Sequence, residues 1–195
     1  MPWYLWNLEP GLLTVLVLQT WFYLACIGPL RHLIPDSAPV PRRQVVLFLG
    51  GTAGLVVALV SPVDTLGSYL LTMHMVQHML LTMLAPPLML LGTPKWLLRP
   101  LLRLPLVRNL AGGLVNPVLV FFIANLVFAA WHFPRLYNAT LQSLPVHVLE
   151  HAMFFLTAVL AWWPLVSPLE ELPALPPPLQ CVYLFLQTLP PTILG

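Results

Sequence analysis

The sequence predicts an all-α, polytopic transmembrane helix bundle, and three observations predict it. Hydrophobic residues fill 59% of the 195 positions and charged residues only 7%, where soluble domains carry roughly 25% charged residues. Six apolar runs approach the ~20 residues that a ~30 Å hydrocarbon core asks of a helix. The eight Lys and Arg gather in alternate connections instead of spreading evenly. We expect a single transmembrane helical domain over residues 1–195. No Gly-rich phosphate loop, nucleic-acid module or low-complexity tract occurs. Nucleic acid is therefore not an expected partner, membrane lipid is, and the chemistry lies in or at the membrane.

The first run covers about residues 11–30 and follows Trp3, Tyr4 and Trp6, an aromatic cluster suited to a membrane interface. No basic residue precedes it, as a cleaved signal peptide would want, so it reads as a retained helix. The second run, about 45–60, lies between Arg42-Arg43 and Ser61-Pro62. The third, about 69–92, contains Pro86-Pro87. Proline removes a backbone donor and clashes with the preceding turn, which predicts a kink or break there. Over residues 95–110 basic side chains recur near helical spacing, and Pro100 and Pro105 prevent one long helix. Short amphipathic pieces on the inner leaflet are expected, serving as an anionic-lipid anchor or as a surface for a partner. The fourth run is about 117–131 and the fifth about 146–166. The sixth starts near residue 178 and is still apolar at Gly195. Residues 186–195 faintly echo 81–92, through either an inverted three-plus-three repeat or chance in Leu-Pro-rich text.

Orientation follows from the basic residues. Arg31, Arg42 and Arg43 follow the first run, and Lys95, Arg99, Arg103 and Arg108 follow the third. The connections after the second and fourth runs hold only Arg135. By the positive-inside rule the N-terminus is outside. The last connection, with Glu170 and Glu171, then falls inside, and acidic residues contribute little to orientation.

That topology sorts the histidines. His74 and His78 lie one turn apart near the outer end of the third run, at a depth of roughly 7–15 Å. His132 closes the fourth run, and His147 and His151 open the fifth, again at i, i+4. Five of the six histidines thus fall toward one membrane face; His32 stands apart beside Arg31. Ionisable groups inside a bilayer are expensive and mark functional sites. Imidazole suits copper, zinc, iron and nickel, and thioether selects Cu(I), so we expect a copper site built from His74, His78, His132, His147 and His151. Met75 and Met79 could ligate from a shoulder of the helix. Asp64 or Glu150 could orient an imidazole by accepting its second N–H.

Plainer readings stand beside this one. Histidines can hydrogen-bond between helices, histidines on facing helices also suit a b-type haem, and methionine commonly fills irregular core gaps. Cys26 and Cys181 read as small core residues. The 138–140 glycosylation pattern lies too near the membrane to use. No Ser/His/Asp arrangement occurs, and His147 through His151 spells H-x-x-E-H, which a protease would have to supplement with further ligands and a hydrated cleft.

The text itself resembles a known family. Ser61-Pro62-Val63-Asp64-Thr65-Leu66, His74-Met75-Val76-Gln77-His78-Met79-Leu80-Leu81 and Ala85-Pro86-Pro87 are similar to the CtaG-type (caa3-type) cytochrome c oxidase assembly factors of bacteria. Trp131-His132-Phe133-Pro134 with Tyr137, and His147 with Glu150-His151, resemble that family too. The resemblance covers all six runs in order, and its most specific part is the HMxxH block followed by Pro-Pro. It implies a multi-pass protein of the bacterial cell membrane, non-enzymatic and needed to make active haem–copper oxidase, with oxidase subunits as partners. Copper handling is the usual proposal for the family. That family typically has seven spans, so we expect the sixth run to be cut short at Gly195 and any ligand on a last helix to lie beyond it. Passing Cu(I) to the oxidase during assembly is the leading expectation. A haem b electron carrier, a copper transporter and a structural oxidase subunit are the alternatives, and a homo-oligomer is compatible with any of them.

Overall fold

The computed structural model describes residues 5–194, and every regular element among them is a helix. Trp3, Tyr4 and Gly195, which the sequence reading used, lie outside the described residues. The helices gather into two compact units, Met1–Leu104 and Pro105–Gly195.

In the first unit α1 spans Pro10–Ile27, capped by the Glu9 carboxylate, which accepts from Leu12 N. α2 spans Arg42–Leu59 and a short α3 spans Pro62–Gly67, with the Ser61 hydroxyl accepting from Val63 N as its cap. α4 (Leu71–Met79), a π-helical turn (Leu80–Leu84) and α5 (Ala85–Gly92) form one span, followed by α6 (Lys95–Leu102). The core of the unit is α2 against α5, brought close by glycine. A Cβ on Gly92 would lie 2.7 Å from both Gln44 O and Phe48 Cα, and one on Gly51 would lie 2.9 Å from Ala85 O. Small residues at such crossings let backbones approach where no hydrophobic drive separates helix from lipid. α1 joins at the same end: Tyr23 stacks on Phe48 at 3.7 Å, and its hydroxyl donates to Gly92 O at 2.8 Å.

The span holding Pro86-Pro87 is disrupted but not broken. The two prolines offer no N–H to the carbonyls of Thr82 and Met83. One turn earlier the helix widens, so that Ala85 N donates to Leu80 O, five residues back, and the chain continues. The expected kink or break is thus a π-turn displaced toward the histidines.

In the second unit α7 spans Pro105–Leu114 and α8 spans Pro117–Trp131, meeting at 82°. Asn116 makes the corner, its Oδ1 accepting from Val118 N and Leu119 N. α9 (Pro134–Gln142), α10 (Leu144–Val166) and α11 (Pro177–Leu194) follow. The connection after residue 102 divides α6 from α7, which opens on Pro105 as expected, whereas Pro100 is accommodated inside α6. A side-chain chain ties three helices of this unit. Asn125 Nδ2 on α8 donates to Gln187 Oε1 on α11 at 2.9 Å. Gln187 Nε2 reaches the Tyr183 hydroxyl at 2.9 Å, and that hydroxyl donates to Ala161 O on α10 at 3.1 Å.

Burial is inverted relative to a soluble protein. His74, Gln77, His78, Glu150 and His151 are buried, whereas Val17, Trp21, Phe122 and Phe185 are all more than 60% exposed. Apolar side chains facing outward around buried polar ones are what hydrocarbon as solvent requires. Among the described residues four helices are long and apolar enough to cross a membrane: Pro10–Ile27, Arg42–Leu59, Leu71–Gly92 and Leu144–Val166. Taking Pro105–Gly113 with Pro117–Trp131 as one bent span makes five. Six runs were expected. α8 has only 15 residues, and α11, with 18, is diluted by Gln180, Gln187, Thr188, Thr192 and its prolines.

Candidate metal-binding histidine turns

In the first unit the chain enters α4 from Leu70 in extended backbone (φ −127°, ψ 113°). The helical period then sets His74, Gln77 and His78 on one face. The two imidazole centroids lie 4.2 Å apart with the rings tilted by 50°, and all three side chains are buried. Gln77 Nε2 donates to Asp64 Oδ1 at 2.6 Å and to Ala58 O at 3.0 Å. Two acceptors at that position fix which end of the amide carries the hydrogens. Asp64 Oδ2 in turn accepts from Asn7 Nδ2 at 2.8 Å. Asn7 N donates to Val60 O at 2.9 Å, and the Thr65 hydroxyl donates to Leu5 O at 2.8 Å. Residues 5–9 therefore form a strap over the end of α2 and the short α3. Gly67 lets α3 lie close to the histidine turn: a Cβ there would meet Gln77 Oε1 at 3.3 Å and His74 N at 3.6 Å.

In the second unit α10 is entered from Ser143, also extended (φ −138°, ψ 111°). His147, Glu150 and His151 share one face. The imidazole centroids are again 4.2 Å apart, at 63°. Glu150 is 1% exposed, and its Oε2 lies 3.8 Å from His147 Nδ1, within ion-pair reach but too long for a hydrogen bond. His132, the residue closing α8, has Nδ1 2.7 Å from Phe128 O. A carbonyl only accepts, so Nδ1 carries the hydrogen and Nε2 keeps the lone pair a metal would use. Its ring lies 4.2 Å from Phe128 and 6.4 Å from Phe154.

Each expected histidine pair is thus formed within its own unit, and His132 stands in the second. Asp64 reaches the helix of His74 and His78 through Gln77. Met75 is half-buried, while Met79 is 60% exposed and so stands on another side of α4 from the buried histidines. Cys26 is buried as expected, but Cys181 is exposed, because its position on α11 faces outward. The sequence reading gave no role to Gln77 or Asn7. A lone amide between two histidines in an apolar run was a signal for Gln77; nothing in the sequence marked Asn7.

The model of the family described as cytochrome c oxidase caa3 assembly factor (Caa3_CtaG) matches residues 21–195, a range that takes in both histidine turns. No curated protein and no solved structure matches the chain.

Proposed function

We propose a copper-handling role for this chain, which belongs to the cytochrome c oxidase caa3 assembly factor family. An assembly role in making cytochrome c oxidase follows from that membership. The finer reading is that His74 and His78, with His147, His151 and His132, hold Cu(I) near the outer face of a bacterial cell membrane. From there the ion passes to an oxidase subunit, without the chain catalysing a reaction. One observation carries this reading: two buried imidazole pairs, each with ring centroids 4.2 Å apart, on helices that are otherwise apolar. Neutral imidazole is a common ligand of copper and accepts it without burying a compensating charge. Burying so many polar side chains among hydrocarbon-facing helices would be costly without a partner for them.

The chain's own residues supply three things. The imidazole pairs offer nitrogen lone pairs at fixed spacing. The Asn7–Asp64–Gln77 hydrogen bonds hold the first pair's helix in register. The Phe128 carbonyl sets the His132 tautomer. Small, incomplete ligand sets of this kind suit transfer, since a closed four-ligand cage retains its ion. The test is competition for Cu(I) between the purified chain and a chromophoric chelator under reducing conditions. Replacing His74 and His78 together by alanine is expected to lower the copper held per chain, and unchanged stoichiometry would remove these histidines from the site.

A further inference from the structure

The first unit segregates its charge between its two ends. Among residues 5–104 every Lys and Arg, namely Arg31, Arg42, Arg43, Lys95, Arg99 and Arg103, lies at one end. Arg31 follows α1, Arg42 and Arg43 open α2, and Lys95 opens α6 just past α5. The packing brings these segments together. A Cβ on Gly92, the last residue of α5, would meet Gln44 O in the first turn of α2, and Tyr23, near the end of α1, donates to Gly92 O. Arg103 Nη2 lies 3.9 Å from Asp36 Oδ2, which ties the end of α6 to the connection between α1 and α2. Asp36 is the one carboxylate at this end among the described residues. Glu9 and Asp64 stand at the opposite end, where Glu9 caps the start of α1 and Asp64 accepts from Asn7.

A basic end is what orientation in a membrane asks of a helix bundle, but three features of this end go further. The Arg103–Asp36 pair is long and both side chains are more than 60% exposed, so it neutralises little of the local positive charge. Arg42 and Arg43, both exposed, take the first two places of α2, where the helix dipole is positive and a cation is unfavourable. An anion set against this end relieves both. The third feature is the mixture of leucine with arginine. Lys95, Arg99 and Arg103 recur at every fourth position and so share one side of α6 and its cap. Trp96 is buried and fixes α6 to the unit, while Leu101 and Leu104, and Leu33 near Arg31, are each at least 50% exposed. Exposed leucines interleaved with basic side chains suit a boundary that is anionic on one side and apolar on the other. A soluble acidic partner would meet the arginines and leave those leucines in water. A phospholipid offers both: a phosphate, which guanidinium binds in bidentate fashion, and an acyl chain for the leucines.

We propose that this end of the first unit is a docking surface for anionic phospholipid, with Arg42, Arg43, Arg99 and Arg103 holding headgroup phosphates and Leu101 and Leu104 lying among acyl chains. None of these residues enters the copper reading, and the surface stands whether or not the chain holds copper. The probes are short-chain phosphatidylglycerol and phosphatidylcholine, each titrated into the purified full chain in a non-ionic detergent and followed by calorimetry. Wild type is expected to bind phosphatidylglycerol more tightly, and the preference to fade as salt is raised. Each arginine changed to glutamine is expected to weaken phosphatidylglycerol roughly fivefold at low salt, so that Arg42→Gln with Arg43→Gln, or Arg99→Gln with Arg103→Gln, costs roughly 25-fold. Lysine at the same positions keeps the charge and is expected to keep most of the preference; it serves as the informative variant where a glutamine variant does not fold. Equal binding of the two lipids by wild type, or a preference unchanged when all four arginines are glutamine, would overturn the proposal. Glycerol phosphate and inorganic phosphate, titrated in the same way, are expected to bind far more weakly than the lipid. Binding of either as tight as the lipid's would assign the arginines to a free anion and refute the lipid surface. Poly-glutamate that binds through these arginines where phosphatidylglycerol does not would assign them to an acidic protein and refute it as well.

Discussion

The first unit holds its histidine turn with amides and a strap; the second carries a buried carboxylate, Glu150, within its histidine turn. Around His74 and His78, Gln77 and Asn7 direct their N–H groups at Asp64, and residues 5–9 close over α3. Beside His147 stands the buried Glu150, while the His132 ring lies among the phenyl rings of Phe128 and of Phe154, a residue of α10. The packing differs in the same way. α2 and α5 touch through glycines with no room for a methyl group, while a Cβ on Gly112 or Gly113 of the second unit would meet nothing within 4 Å. What persists across both units is the register of histidines at the fourth and eighth places of a helix. The register is thus what the two units share, and the local chemistry around it differs.

Exchanging Gln77 and Glu150, each in the seventh place of its helix, should break the comparison most sharply, because the exchange is not symmetric. Gln77→Glu sets a carboxylate oxygen where Nε2 now lies, 2.6 Å from Asp64 Oδ1 and 3.0 Å from Ala58 O. Two acids at that distance cannot both stay charged, and we expect a loss of about 3–5 kcal/mol, read as a steep fall in the thermal unfolding midpoint in detergent. Next comes Gly92→Ala. Its Cβ would strike the α2 backbone, which cannot swing aside, and about 1–3 kcal/mol should be lost. A midpoint equal to wild type would mean that α2 and α5 are not so close. Asn7→Ala removes one donor from Asp64 and should cost about 1 kcal/mol, seen as faster proteolysis within residues 1–10. The smallest effect is expected of Gly112→Ala, which gains helix propensity in open space and should raise stability by at most about 1 kcal/mol.

Much of the helical plan was legible in the sequence because apolar runs and their proline and arginine borders are local signals. The fourth run begins and ends at α8's own limits, and the third differs from the Leu71–Gly92 span only at its start. The histidine pairs were legible too, since an i, i+4 spacing fixes a common face whatever surrounds it. What stayed hidden depends on chain folded back on itself. Asn7 meets Asp64 across 57 residues, and no short-range pattern announces a hydrogen bond of that separation. The π-turn escaped because proline specifies which carbonyls lose a donor but not how the preceding turn re-pairs them. The likeness of the two turns escaped because Gln and Glu differ in charge, and only the common start of α4 and α10 puts them in the same place.

The most direct measurement is X-ray absorption at the copper edge of the chain loaded with Cu(I) under reducing conditions. The account predicts nitrogen scatterers at ~2.0 Å with the multiple-scattering pattern of imidazole, an assignment that rests on the ordinary metal–imidazole distance. It also predicts that this pattern weakens when His74 and His78 are replaced. A copper shell of sulfur alone, or an imidazole pattern unchanged in that variant, would contradict it.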